Sequence, residues 1–153
     1  MDNTVFYGFR GNMLFPKQIS MYNIELENTS ECKNKVFNDF FTKLEKEKKL
    51  TSKYQNRVYY MIFKNKYENI LHCQLARRRK FYKRELKDND IIELIDDDYP
   101  YVNIFIKLDS QMFFIESKTA VYQNYNTCSN VISNIINNNL NIDGITIILE
   151  NIS

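Results

Sequence analysis

The chain has 153 residues, 21 Lys/Arg against 19 Asp/Glu, eleven Tyr, eleven Phe and no Trp. That length fits one domain with a real core, built mainly from aromatic and Ile side chains. Three Gly and two Pro exclude a Gly-rich phosphate loop, and three Cys with one His exclude the usual structural zinc patterns and a disulfide framework.

In chain order, Val5, Tyr7 and Phe9 alternate with smaller or polar residues and predict a first strand, stopped near Gly11 and Pro16. Tyr22, Ile24 and Leu26 predict a second strand. Asn28, Thr29 and Ser30 then supply a helix start. Val36, Phe37, Phe40, Phe41 and Leu44 recur at helical spacing, with a charged end over Lys43 to Lys49, so the helix is expected over 31–49. From Arg57 the period changes. Val58 to Phe63 predicts a strand, Lys64 to Asn69 a polar turn, and Ile70 to Ala76 the second strand of a hairpin. In it Leu71, Cys73 and Leu75 share one face, and His72 and Gln74 the other.

A basic run follows directly. Ile91 to Ile95 reads as a short strand or a turn of helix. Tyr101 to Leu108 and Met112 to Ser117 predict a hairpin around Asp109, Ser110 and Gln111. Asn126 or Thr127 can cap a second helix whose apolar stripe is Cys128, Val131, Ile132, Ile135, Ile136 and Leu140, with Asn137, Asn138 and Asn139 weakening its end. Gly144 leads into a last strand, Ile145 to Leu149. The expected fold is a single α+β domain over 1–153, a mostly antiparallel sheet of five to seven strands with two main helices packed on it.

Charge is distributed unevenly. Residues 33–87 hold seventeen Lys/Arg against five Asp/Glu, and the rest of the chain holds four against fourteen. Arg77, Arg78, Arg79, Lys80, Phe81, Tyr82, Lys83 and Arg84 run together without an acid, and Asp88, Asp90, Glu93, Asp96, Asp97 and Asp98 then reverse the sign. On an extended segment both faces of that run are cationic, so neither can lie on an apolar core. The run must project into solvent or meet a partner. Arg and Lys contact phosphates and aromatic rings stack on unpaired bases, which makes 77–84 a candidate ribbon for nucleic acid, with the basic stretch 33–57 as support. An acidic protein surface, or neutralisation by the acids that follow, accounts for the same pattern.

Glu116-Ser117-Lys118 ends an apolar strand. With Asp98 or Asp109 as a second carboxylate, it matches the chemistry of a Mg²⁺-dependent nuclease, in which carboxylates hold the metal and Lys orients water; Gln123 follows nearby. The commoner reading is a solvent-side Glu and Lys at a hairpin edge. Asp96, Asp97 and Asp98 read as a solvated acidic turn, and His72 and Cys73, as strand neighbours, face opposite sides.

Together these residues predict a non-catalytic binding protein that takes nucleic acid or an acidic protein surface as partner and uses no cofactor and no metal. The alternatives are an interaction subunit or inhibitor, and the Glu116/Lys118 nuclease. Met1 to Arg10 lacks signal-peptide organisation and no apolar run reaches a bilayer span, so a cytoplasmic protein with no membrane contact is expected. Abundant Asn, Ile, Lys, Tyr and Phe fit an A/T-rich genome and so a bacterial or phage origin.

Overall fold

A computed structural model describes residues 5–14, 29–118, 125–140 and 146–152. The expected strand around Ile24 and Leu26, and the turn signals Pro16 and Gly144, lie outside the described residues.

The first strand, β1 (Phe6–Leu14), runs through Gly11 instead of stopping there. A Cβ at Gly11 would lie 2.5 Å from Cζ of Phe37, so the glycine serves close approach of the first helix, not chain termination. That helix, α1 (Thr29–Glu47), starts two residues earlier than the spacing predicts. Its stripe of Val36, Phe37, Phe40, Phe41 and Leu44 is buried. The helix ends at Lys48, which adopts φ 69° and donates its N–H to the Leu44 carbonyl at 2.8 Å, a left-handed cap.

The chain then enters a strand that periodicity does not reveal, β2 (Lys49–Tyr54), because Lys49, Thr51 and Lys53 read as the tail of a charged helix. Leu50 and Ser52 are buried on its inner face, and Tyr54 packs partly against the core. Gln55 and Asn56, both at positive φ, make the two-residue turn into β3 (Arg57–Tyr67). The polar stretch 64–67 continues this strand past a bulge between Phe63 and Asn65, and only Glu68 and Asn69 turn. β4 (Ile70–Arg77), β5 (Arg79–Lys87), β6 (Asp90–Asp98), β7 (Tyr101–Lys107) and β8 (Met112–Glu116) follow. α2 (Tyr125–Asn139) and β9 (Thr146–Asn151) complete the described elements.

Seven strands form one antiparallel sheet in the order β2-β3-β4-β7-β8-β1-β9, and β5 and β6 form a separate pair. The fold is therefore α+β, with the expected two helices. Both pack into a single core with Leu50, Met61, Leu75, Ile104, Ile115 and Ile147, side chains that project from one face of the sheet. Burying each such aliphatic or Phe side chain contributes about 1.5–3 kcal/mol.

Asparagines join α2 to both edges of this sheet. Asn134 and Asn138 each donate to Ser52 Oγ at 2.7 Å, and Asn134 also reaches the Lys53 carbonyl at 3.0 Å. Asn137 donates to the Ile147 carbonyl at 2.9 Å and accepts the Ile147 N–H at 2.7 Å. Strands β2 and β9 are the two ends of the sheet order, so the sheet curls until one helix spans both. Of the three Asn residues expected to weaken the helix end, Asn139 donates to the Ile135 carbonyl of its own helix, Asn138 holds Ser52, and Asn137 occupies backbone groups of β9 that would otherwise be open to another strand.

A charged arm and an open sheet face

Between β4 and β7 the ladder is complete from Ile70 opposite Lys107 to Ala76 opposite Tyr101, and Arg77 N–H adds a bond to the Pro100 carbonyl at 3.0 Å. The chain leaves the sheet only after that. Arg78 alone separates β4 from β5, its N–H held by the Val58 carbonyl at 3.0 Å, and Tyr99 and Pro100 separate β6 from β7. Pro100, lacking an N–H, cannot extend the ladder across this neck. Beyond it, β5 and β6 pair along nine residues and turn at Asp88 and Asn89, both at positive φ. At about 3.3 Å per residue the arm is about 30 Å long. None of its residues is buried.

The eight residues of the predicted ribbon are therefore divided. Arg77 ends β4 and is half-buried, Arg78 is the neck, and Arg79, Lys80, Phe81, Tyr82, Lys83 and Arg84 lie on β5. The Arg77 Nε is enclosed without a hydrogen-bond partner among the described residues. The acids that follow the basic run in sequence lie beside it in space. Arg79 faces Asp98, Lys80 faces Asp97, Phe81 faces Asp96 and Arg84 faces Glu93. Arg79 holds Asp98 Oδ2 with Nη2 at 2.9 Å and Nε at 3.0 Å, Arg84 Nε lies 3.5 Å from Glu93, and Lys83 lies 3.1 Å from Glu85. Such exposed pairs add little stability. Their consequence is electrostatic: from Arg79 to Asp98 five cations stand against seven acids, so the arm as a whole is acidic.

Lysines of the supporting stretch 33–57 also have internal work. Lys43 Nζ donates to the Asn139 carbonyl at the end of α2, at 2.9 Å, where a cation meets the negative end of the helix. Lys48 lies 4.4 Å over the Phe63 ring and Lys49 5.5 Å over Tyr60. Lys33 bonds Asn12, and partial burial and then Arg10 hold its pKa below the ordinary lysine value, against a smaller opposing pull from Glu150.

Glu116 and Lys118 are close, 3.6 Å apart, but the carboxylates a nuclease would need are elsewhere. Asp98 is engaged by Arg79, and Asp109 sits in the turn before β8, at the opposite end of that strand from Glu116. Among the described residues no three His, Cys, Asp or Glu side chains gather as a metal site. Glu116 is only 8 % exposed and accepts bonds from Asn103 N–H at 3.0 Å and Asn103 Nδ2 at 3.3 Å. Asn103 Oδ1 in turn takes His72 Nε2 at 2.9 Å and Gln74 Nε2 at 3.2 Å. This polar row crosses β4, β7 and β8 on the face opposite the helices. Aromatic rings flank it: Phe105 stacks on His72 at 4.6 Å, and Tyr101 lies under Lys118 at 5.0 Å. Strand alternation places His72 and Gln74 on this face. It cannot foresee Asn103, which becomes a bridge only through strand pairing. At the arm's base a cleft of about 210 Å³ is lined by Lys49, Tyr60, Ile62, Ala76 and Tyr99.

Cys73 lies in the core beneath this row, and burial pushes its thiol well above the ordinary value of 9.0. The folded chain holds that proton after the unfolded chain has released it. Stability should thus be insensitive to this group below pH 9.0 and fall as pH rises above it. Urea midpoints measured at pH 7, 9 and 10 check the sign. A thiol reagent at neutral pH should label half-exposed Cys32 in the native protein, and buried Cys73 and Cys128 only on unfolding.

No helix among the described residues is long and apolar enough to cross a membrane. Comparison with protein-family models, with curated proteins and with solved structures gave no match.

Proposed function

We propose that this chain is a non-catalytic interaction subunit that holds a protein partner through the β5–β6 arm. The observation that carries this reading is the arm's composition in three dimensions. Arg79 and Arg84 are paired with acids across the strands and Lys83 with Glu85 along β5, while Phe81, Tyr82, Leu86, Ile91, Ile92, Leu94 and Ile95 stay exposed on the arm. A two-stranded hairpin is marginal in water by itself, and one that displays seven large apolar side chains gains stability by being covered. Nucleic acid is favoured by uncompensated positive potential, which the acidic strand removes from β5. A mixed apolar and charged surface matches the anatomy of protein interfaces.

A photo-crosslinking amino acid at Leu86, introduced in the cells the chain comes from, tests the reading. Adducts to protein, including a second copy of this chain, are the expected result. Adducts that nuclease treatment removes would transfer the arm to nucleic acid, and no adduct at all would overturn the assignment.

A further inference from the structure

The two faces of the arm are not equivalent. Residues directly opposite in an antiparallel pair share a face, so the register divides the arm into two rows of layers. One face carries Lys80 with Asp97, Tyr82 with Ile95, Arg84 with Glu93, and Leu86 with Ile91. Charged and apolar layers alternate along it, and each charged layer is balanced. Its apolar side chains are the most exposed on the arm, Tyr82 at 71 %, Leu86 at 80 %, Ile91 at 66 % and Ile95 at 63 %. The other face carries Phe81 with Asp96, Lys83 with Leu94 and Glu85 with Ile92, charge beside hydrocarbon in three of its five layers.

We infer that the face bearing Tyr82, Leu86, Ile91 and Ile95 binds the same face of a second copy of this chain. This rests on the reading of the arm as an interaction element. The argument is self-complementarity. A two-fold axis along the arm, lying between two stacked faces, places β5 of one copy over β6 of the other at equal height. Lys80 then meets Asp97 of the second copy and Arg84 meets its Glu93. Between these layers Tyr82 meets Ile95 and Leu86 meets Ile91, in both directions as two-fold symmetry requires. Every charge finds its opposite and every apolar side chain finds another. The same operation on the other face sets Lys83 against Leu94 and Glu85 against Ile92. Antiparallel stacking centred on Tyr82 sets Lys80 against Arg84. Only one face in one orientation is matched. Sheets that stack in this way cross at about 30° and lie about 10 Å apart, which two twisted hairpins can satisfy. A face about 30 Å long and two strands wide lies near the lower limit of specific interfaces, roughly 1,000 Å² in total, so a reversible dimer is expected.

The test is the mass of the purified full chain by sedimentation velocity over a wide concentration range. The expected result is a reversible rise from one chain of 18.4 kDa towards two. Ile95→Lys should hold the protein at one chain throughout with its thermal unfolding unchanged. Lys80→Glu and Asp97→Lys should each weaken self-association at least tenfold, since like charges then meet at both symmetric contacts. An equimolar mixture of those two variants should restore it. In the mixed pair the introduced carboxylate of one copy meets the introduced ammonium of the other, and the unaltered Asp97 of the first still meets the unaltered Lys80 of the second. A chain that stays single at all concentrations would overturn the inference, as would a dimer indifferent to Ile95→Lys or a mixture that fails to associate. If the mass stays at one chain while the Leu86 crosslinker captures a different protein, self-association fails and the interaction reading stands.

Discussion

Phe40→Ala should lower stability by about 3–5 kcal/mol, the usual cost of truncating a fully buried Phe. The ring has no exposure and lies edge-on to Phe41 at 5.9 Å, and Phe41 in turn packs on Phe113 of β8 at 6.2 Å. Removing it opens a void between α1 and the centre of the sheet, which the rigid neighbouring rings cannot close. Since whole domains of this size are stable by about 5–15 kcal/mol, a large share of the total is at stake. Thermal unfolding should move down by roughly 10–15 °C, and the urea midpoint should fall with an unchanged slope. Phe40→Leu, which keeps most of the volume, should recover much of the loss. A near-neutral Phe40→Ala would show that α1 does not carry the core.

The second large effect is expected at Asn137. Its amide acts towards β9 as a neighbouring strand would, giving to the Ile147 carbonyl and taking from the Ile147 N–H. Ile147 is buried, so Asn137→Leu leaves two enclosed backbone groups without partners. Each such orphan costs about 1–3 kcal/mol, and the pair should cost about 2–6 kcal/mol. Asn137→Asp keeps the acceptor but turns a second oxygen towards the Ile147 carbonyl, so an intermediate loss is expected. Hydrogen exchange at the Ile147 amide separates these cases, because Leu should deprotect it more than Asp. Equal exchange in all three proteins would mean that β9 is held by β1 alone.

The elements easiest to read in the sequence are those whose side chains alternate or recur against a core. Leu71, Cys73 and Leu75 reveal β4, and Phe37, Phe40, Phe41 and Leu44 reveal α1, because burial imposes the period. Strand β2 is hidden because it is a sheet edge. Only Leu50 and Ser52 are buried in it, and its lysines continue the composition of the helix before it. For the asparagines of α2, helix propensity is silent about what their amides bind across the fold. In the arm, the basic run is legible and so is its projection into solvent. What one dimension hides is that Asp90 to Asp98 folds back against that run, turning a cationic segment into a ribbon of opposed charges.

The neck at Arg78 and Tyr99–Pro100 divides the molecule thermodynamically as well as in space. The seven-stranded sheet closes its own ladder below the neck, and the arm contributes no side chain to the buried core, so the two parts have no reason to melt together. Amides of β5 and β6 should open on their own timescale, far faster than those of β4 and β7, while the body stays native. A chain with such a joint holds two separately tunable devices. Changes that alter what the arm touches need not be checked against folding, and the surface of the arm is free to drift or be selected at little risk to the scaffold that bears it.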